Sequence, residues 1–304
     1  MRLLASAVLL TGGAGTVGSW AKAPPLGESR AAHAVVATAD AIYALGGSGP
    51  GSATVERFDG TAWQVETTLP EGALNAPAAV VLDGKLYVIG GFSGTTNLPV
   101  ADVYVYDLAT KQWSEAAPLP APRGGHAAVV LGGKIHVLGG GNSVSTIADH
   151  SVYDPATDSW SAAAPLPRAE GSPAGVAFGG KLYAIGGRSG FSDYGAVYVY
   201  DPQRDSWSTA PAIPPRGTAG AVVYRSAVYL FGGESQPRHA VLGQVYRLRR
   251  GTKAWEKVSA LPTPRNYARA VVFRGAVYVV GGSTSFGDSH GSAGSTVVER
   301  FSIR

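Results

Sequence analysis

The segment richest in groups that can do chemistry is residues 231–239, which read FGGESQPRH. A carboxylate, a guanidinium and an imidazole follow one another there as Glu234, Arg238 and His239. A carboxylate near a cation serves general acid–base catalysis and the binding of polar ligands. A charged loop is also an ordinary solvated turn, so the interpretation of this segment depends on the elements that position it.

Other kinds of chemistry are excluded by composition. The 304 residues contain no cysteine, which rules out disulfides, thiolate nucleophiles and cysteine-ligated metals. Asp288 and His290 lie two positions apart, but two ligands are too few for a metal site. We therefore predict neither a metal nor a cofactor.

Charge and composition narrow the class of protein. The net charge is only +4, and the longest basic run is RLRR at 247–250, so nothing resembles a stripe that follows phosphates and no nucleic-acid partner is predicted. Charged residues make up 15% of the chain, and 42 residues are glycine. This combination favours many short strands joined by tight turns.

The N-terminus resembles an export sequence. Arg2 precedes the apolar run LLASAVLL at 3–10, followed by small residues, as in a secretory signal peptide. We predict that residues 1–17 are a signal peptide or a disordered N-terminus, and that the protein is secreted or periplasmic, with a cytoplasmic location as the alternative. The apolar run is too short to span a bilayer and no later segment approaches that length, so no membrane span is predicted.

A sixfold repeat organises the rest of the chain. Its first mark is a double glycine that ends an apolar run, spaced 44 to 49 residues from the next, at 46–47, 90–91, 139–140, 186–187, 232–233 and 281–282. Its second mark is a tryptophan, at positions 20, 63, 113, 160, 207 and 255. Short β-branched and aromatic runs bounded by turn residues give four strands to each repeat. A period of this length with four strands is typical of a β-propeller.

The repeat also predicts how the ring closes. After the sixth double glycine the chain offers a third strand at 295–304 but no further tryptophan, whereas Trp20 precedes the first double glycine in register. We infer that residues 18–24 supply the outer strand of the last blade, which pairs both ends and removes an exposed edge. The prediction is an all-β, six-bladed propeller of four-stranded blades spanning 18–304, with blades near 29–68, 73–118, 122–165, 169–212, 215–260 and 264–304 plus 18–24.

The double glycine after an apolar strand, the Tyr-Asp turn and the downstream tryptophan together resemble the kelch repeat. This resemblance covers essentially residues 18–304. It implies that the loop after each double glycine and the turn before each first strand approach the same mouth of the central channel.

Two rows of repeat-equivalent residues lie at those places. The arginine row, two positions before the small residues of each first strand, is Arg30, Leu74, Arg123, Glu170, Arg216 and Arg265. These arginines are expected either to bond turn carbonyls or to give the mouth a partly basic rim. The mouth row, directly after each double glycine, is Ser48, Phe92, Gly141, Arg188, Glu234 and Ser283. A position that varies beside repeating neighbours is where function can be grafted, and Glu234 is its only carboxylate.

The leading functional prediction is non-catalytic recognition of a protein or carbohydrate at the channel mouth. The predicted ligand-binding residues are Arg30, Phe92, Arg123, Arg188, Arg216, Glu234, Arg238, His239, Arg265 and Tyr267. Further mouth residues are expected to be Asp193, Asp288 and His290, with Phe191, Tyr194 and Phe286 as apolar walls.

The alternative is a sugar mutarotase. The segments RGTAGAVVY (216–224) and FGGESQPR (231–238) resemble one blade of bacterial sialic-acid mutarotases. This resemblance implies that Glu234, with a nearby arginine, opens and closes the sugar ring. Arg238 is the candidate for that arginine, although the family's arginine lies further downstream. Anomer exchange needs one group that takes the anomeric hydroxyl proton and another that supports the ring oxygen.

Overall fold

The computed structural model describes residues 17–287 and 294–303, and the long elements in this part of the chain are β-strands. They form six antiparallel sheets arranged around a central channel, which confirms the predicted six-bladed propeller. The predicted signal peptide lies almost wholly outside the described residues. No described helix is long and apolar enough to cross a membrane.

Each blade runs from an innermost strand at the channel to an outer strand. Blade I contains β2 (Ala34–Ala37), β3 (Ile42–Leu45), β4 (Thr54–Phe58) and β5 (Trp63–Thr68). Blade II contains β6 (Leu74–Asn75), β7 (Ala78–Leu82), β8 (Lys85–Ser93), β9 (Pro99–Asp107) and β10 (Trp113–Ala116). Blades III and IV contain β11 (Ala127–Leu131), β12 (Lys134–Leu138), β13 (His150–Asp154), β14 (Ser159–Ala163), β15 (Ala174–Phe178), β16 (Lys181–Ile185), β17 (Arg188–Ser189), β18 (Ser192–Asp193), β19 (Val197–Asp201) and β20 (Ser206–Ala210).

The remaining two blades complete the ring. Blade V contains β21 (Gly220–Tyr224), β22 (Ala227–Phe231), β23 (Glu234–Ser235), β24 (Ala240–Val241), β25 (Gln244–Arg249) and β26 (Glu256–Ala260). Blade VI contains β27 (Arg269–Phe273), β28 (Ala276–Val280), β29 (Val298–Ser302) and, from the start of the chain, β1 (Ser19–Lys22). Two small additions stand at the mouth side: a hairpin of β17 with β18 in blade IV and one of β23 with β24 in blade V. One short 3-10 helix, Pro50–Ala53, follows the double glycine of blade I.

The last blade closes as predicted. Strand β1 pairs antiparallel with β29, with Trp20 opposite Phe301. The Trp20 indole packs against Phe301 and Phe231, with ring centroids 4.9 and 6.1 Å away, and its Nε1 donates to Ser259 Oγ at 2.9 Å. The other five repeat tryptophans likewise donate Nε1 to the outer strand, or the residues just after it, of the preceding blade. These residues therefore join blades to one another.

The double glycines join the blades nearer the channel. In every blade the N–H of the second glycine donates to the carbonyl of the arginine-row residue in the next blade, over distances of 2.7 to 3.1 Å, from Gly47 to Leu74, Gly91 to Arg123, Gly140 to Glu170, Gly187 to Arg216, Gly233 to Arg265 and Gly282 to Arg30. Both glycines of each pair have positive φ, which only glycine adopts freely. A Cβ on Gly186 would stand 2.8 Å from the Arg216 carbonyl oxygen, so the approach also excludes a side chain.

The side chains of the arginine row are buried and serve their own blades. The guanidinium groups of Arg30 and Arg265 each donate to the first glycine's carbonyl and form a buried ion pair, with Glu56 at 2.7 Å and Glu299 at 2.8 Å respectively. Arg216 donates to the Gly232 carbonyl. The row therefore braces the double-glycine turn.

The arginine-row residues of blades III and V have neither of these buried glutamate partners, and their guanidinium groups make other contacts. Arg216 lies over the Tyr246 ring, with 4.7 Å to its centroid, and Arg123 pairs with Asp149 at 3.3 Å. All four arginines are at most 2% exposed. The four guanidinium groups bond to main-chain carbonyls, as one of the two expectations for this row had it. Because they are buried, a ligand in the mouth would contact the neighbouring residues before it reached these groups.

Blade IV departs from this pattern. Glu170 takes the arginine's place and is 0% exposed, and neither of its carboxyl oxygens has a hydrogen-bond partner among the described residues. Burial raises the pKa of Glu170 to about 8, with the charge of Arg168 acting in the opposite direction. The carboxyl is therefore neutral at pH 7, since an ionised carboxylate is far more costly to bury than a protonated one.

Removing the closing indole should weaken the whole ring. We expect Trp20→Ala to lower the free energy of unfolding by about 3–5 kcal/mol, because it removes a buried aromatic side chain and loosens β1. Urea denaturation followed by circular dichroism measures the loss. Trp63→Ala removes a half-buried indole at the equivalent position and should cost less; equal losses would contradict a special role for Trp20.

The neutral Glu170 should make stability depend on pH. Its folded pKa lies above its unfolded value, so the folded state keeps a proton that the unfolded state releases as the pH rises. Between about pH 5 and pH 8 the free energy of unfolding of the wild type should fall by up to ~1.4 kcal/mol for each unit of rising pH, relative to that of Glu170→Gln. Urea midpoints across this range measure the effect. Glu115→Gln, at an exposed glutamate, is the control, and parallel pH curves for wild type and Glu170→Gln would disprove the assignment.

Candidate functional site

The mouth row is held in one backbone register by all six blades. Each of its residues pairs antiparallel with the residue that follows the arginine row: Ala31 with Ser48, Asn75 with Phe92, Gly124 with Gly141, Gly171 with Arg188, Gly217 with Glu234, and Asn266 with Ser283. The side chains differ while the backbone repeats. The residue type at this position therefore sets the chemistry of the mouth blade by blade.

A ring of residues in the left-handed conformation lies beside the mouth row. Its members are Ala32, Ala76, Gly125, Ser172, Thr218 and Tyr267, with φ between 48 and 61°. Main-chain hydrogen bonds link neighbouring members across blades, from Ala76 to Ala32, Gly125 to Ala76, Ser172 to Gly125 and Tyr267 to Thr218. Tyr267 is the bulky exception in this ring. A strained conformation kept for a large side chain is often found at functional sites.

Three side chains from three blades meet at the mouth. Arg188 of blade IV donates through Nη1 to Glu234 Oε1 of blade V and through Nη2 to the Tyr267 hydroxyl of blade VI. The Glu234 side chain is 0% exposed, whereas that of Arg188 keeps 19% of its surface exposed. Glu234 therefore anchors the guanidinium from below, and Arg188 presents it to the mouth.

The second oxygen of Glu234 is held by blade VI. Asn266 Nδ2 donates to Glu234 Oε2 at 2.6 Å and to the Ser285 carbonyl at 3.0 Å, and the Gly287 N–H approaches Oε2 at 3.4 Å. Asn266 is fully buried and was not among the predicted site residues. The signal that could have found it is its place directly after Arg265, where the other blades carry alanine, glycine or another asparagine.

Asp193 connects the two mouth hairpins. Its Oδ2 accepts the Gln236 N–H at 2.6 Å, which ties β18 of blade IV to the start of the blade V hairpin. Burial raises the pKa of Asp193, assisted by the charge of Glu234 and opposed by the Gln236 hydrogen bond. The hairpins therefore hold Arg188 and Glu234 next to each other.

A cavity of about 140 Å³ opens above this cluster. Phe92, Arg188 and Tyr267 supply its large side chains, and its remaining walls are small residues of blades I to IV, including Thr146 and Ser172. Nearby, the Thr218 hydroxyl and the Asn266 amide oxygen are buried without a hydrogen-bond partner among the described residues. The cavity lining therefore combines one cation, two aromatic side chains and the hydroxyl groups of Thr146 and Ser172.

The other sequence candidates lie further out. Arg238 and His239 are exposed at the tip of the blade V hairpin, and the His239 ring stacks on Phe286 with 5.1 Å between centroids. Arg238 lines a separate cavity of about 250 Å³, together with Arg216. The arginine that contacts Glu234 is thus Arg188, and a catalytic role for Arg238 stays a prediction.

Two more mouth candidates lie within the described residues. Phe191 is 91% exposed at the tip of the β17–β18 hairpin, and Tyr194 lies under Arg168, 4.5 Å from its ring centroid. Asp288 and His290 lie outside the described residues. Within 17–287 and 294–303, no three His, Cys, Asp or Glu side chains gather as a metal ion would require.

Comparison with protein families agrees with the repeat. Residues 86–301 match the family described as the Attractin/LZTR1 beta-propeller. Kelch-like protein 36 of Bos taurus is 30% identical over 112 residues, which cover 33% of this chain and 18% of that protein. The N-acetylneuraminate epimerase of Pasteurella multocida is 34% identical over 97 residues, covering 30% of this chain and 26% of the epimerase.

A second epimerase and a solved structure extend these matches. The N-acetylneuraminate epimerase of Haemophilus influenzae strain PittEE is 37% identical over 91 residues, 28% of this chain and 24% of the epimerase. The matched segments thus span about a quarter or less of these curated relatives. The structure of YjhT superposes with a TM-score of 0.78 at 18% identity, covering 90% of this chain and 95% of that one, and supports the fold alone. The predicted kelch-type propeller, with its local mutarotase resemblance, is confirmed.

Proposed function

The chain belongs to the Attractin/LZTR1 β-propeller family, and we propose that it is a binding propeller whose mouth takes an acidic carbohydrate. The observation that carries this proposal is the position of Arg188, which Glu234 and Tyr267 hold at the edge of the mouth cavity. A guanidinium fixed in this way is a preorganised anion receptor, because little side-chain freedom remains to be lost on binding.

The donors of Arg188 suggest the chemical group that it binds. A guanidinium carries five N–H donors, and the contacts to Glu234 and Tyr267 use two of them. The donors that remain suit a carboxylate, which can accept two parallel hydrogen bonds from one arginine.

The cavity suggests the size of the rest of the ligand. Its volume of about 140 Å³ is close to that of a cavity that takes one six-membered ring. Phe92 and Tyr267 offer aromatic faces against which the C–H face of a sugar can pack, and Thr146 and Ser172, which line the cavity, offer hydroxyl groups for those of the sugar. The epimerase relatives, whose name states that they act on N-acetylneuraminate, support an acidic sugar of that class.

Loss of the guanidinium should abolish most of the affinity. We expect Arg188→Gln to bind N-acetylneuraminate about 10- to 100-fold more weakly, because a charge-assisted bidentate contact is lost. Isothermal titration calorimetry measures the change. Arg204→Gln, in the exposed turn between β19 and β20 of the same blade, should bind as the wild type does. If the wild type does not bind acidic sugars but binds an acidic peptide, the ligand of the mouth is a protein and the carbohydrate proposal is wrong.

A mutarotase is the second candidate, because a carboxylate and a guanidinium in contact adjoin a ring-sized cavity. Glu234 would take the proton of the anomeric hydroxyl as the bond between the anomeric carbon and the ring oxygen breaks. The ring oxygen, held by a hydrogen bond from Arg188, would take a proton from water, and the reverse steps on the other face of the carbonyl would give the other anomer. This mechanism requires the anomeric hydroxyl to reach a carboxylate that lies fully buried behind Arg188, and for that reason binding is the leading proposal.

Anomer exchange separates the two functions. If the protein is a mutarotase, NMR exchange rates between the N-acetylneuraminate anomers should rise with protein concentration and fall to the background with Glu234→Gln, since the proton acceptor is gone. Arg188→Gln and Arg238→Gln, measured side by side, identify the arginine that takes part. Binding without accelerated exchange would eliminate the mutarotase and leave the binding propeller.

A further inference from the structure

The six innermost strands enclose the central channel. β2, β7, β11, β15, β21 and β27 each pack against the next, and β27 packs against β2. At one repeat-equivalent position the residues that line the channel are Ala34, Ala78, Ala127, Ala174, Gly220 and Arg269. Five of the six are the smallest residue types. The sixth places a guanidinium where the other blades leave space.

Arg269 is surrounded by protein, yet it keeps part of its surface open to the channel. Its Nε donates to the His33 carbonyl at 3.1 Å, which holds the guanidinium at the wall of the channel. Burial lowers the pKa of Arg269, with a smaller opposite effect from Tyr267. The group is therefore a cation in surroundings that disfavour charge.

No carboxylate balances this cation among the described residues. The ion pairs within 17–287 and 294–303 do not include Arg269, and the residues that line the channel contain neither Asp nor Glu. The buried Arg30 and Arg265 have Glu56 and Glu299 as partners. A cation that is only partly open to solvent and has no anionic partner is unfavourable, so Arg269 has a preference for a counterion.

The other polar groups near Arg269 are consistent with an anion. His126 lines the same channel, and both its ring nitrogens are buried without a hydrogen-bond partner among the described residues. Burial, with the charges of Arg123 and Arg269, lowers the pKa of His126 to about 3. The neutral ring adds no negative charge, and its buried nitrogens leave Arg269 as the group that would contact an anion in the channel. The channel therefore offers positive charge and, among its described lining residues, no negative group.

We propose that the channel holds a small monovalent anion, chloride or a carboxylate group, against the guanidinium of Arg269. The space suits this class of ligand, because the channel cavity measures about 120 Å³ and is walled mostly by alanine, glycine and proline. This site is distinct from the mouth, where Arg188 already has Glu234 as its partner. It does not depend on the identity of the mouth ligand.

An anion that binds only the folded protein raises its melting temperature with concentration. At constant ionic strength, with the bulky sulfonate HEPES as the replacement anion, the wild-type melting temperature should rise by about 2–4 °C for each tenfold increase in chloride above its dissociation constant. Arg269→Gln should show no such rise. Arg250→Gln, at an exposed arginine of the β25–β26 turn, should keep it. A chloride response that survives in Arg269→Gln, or is absent from the wild type, would refute the site.

The second measurement needs no variant. Crystals of the wild type soaked in bromide should show an anomalous peak beside the Arg269 guanidinium, and no peak there would count against the proposal. An acetate series at fixed ionic strength separates the two sources of negative charge. If acetate raises the melting temperature as chloride does and displaces bromide from the peak, the site takes carboxylates; if only the halides act, it takes inorganic anions.

Discussion

The hydrogen bond from the second glycine of each blade to the arginine-row carbonyl of the next is the interaction on which the rest of the structure depends. It occurs in all six blades, including the step from Gly282 to Arg30 across the closure. Because it needs a bare backbone at positive φ, it fixes the glycine pairs. Because it fixes the turn, it also sets the position of the residue that follows. The mouth row owes its common register to this bond.

The chemistry of the mouth is concentrated on one side of the ring. Blades I and III contribute Ser48 and Gly141 to the mouth row, and the left-handed residues of blades I to III are alanine or glycine. Blades IV to VI contribute the Arg188 cluster. The mouth row has the same backbone register in all six blades, so this asymmetry comes from the side chains of blades IV to VI and from the two mouth hairpins of blades IV and V. A ligand can then be bound by polar groups on one side while the other side leaves room for it.

The sequence was sufficient for the scaffold because the scaffold is periodic. Trp20, standing in register ahead of the first double glycine, was enough to predict the pairing of β1 with β29. The contacts within the site were harder to predict, because they join residues of different blades that lie far apart in the sequence. Glu234 was recognised by its place in the mouth row, but its partner is Arg188, 46 residues earlier, rather than Arg238 in the same loop. Asn266 and Arg269 were missed because single departures from a repeat become visible only when the repeat-equivalent residues are seen side by side around the mouth and the channel.

The pairing of β1 with β29 also determines how the ring responds to force. Ser19, the first residue of β1, lies opposite Ser302, the last residue of β29, so the flanking chain leaves both strands at the same end of the ladder. Tension applied through those two flanks would break the ladder one pair at a time, as a zipper opens, instead of shearing all four pairs together. The pairing that closes the ring is therefore mechanically soft along this one direction of pull.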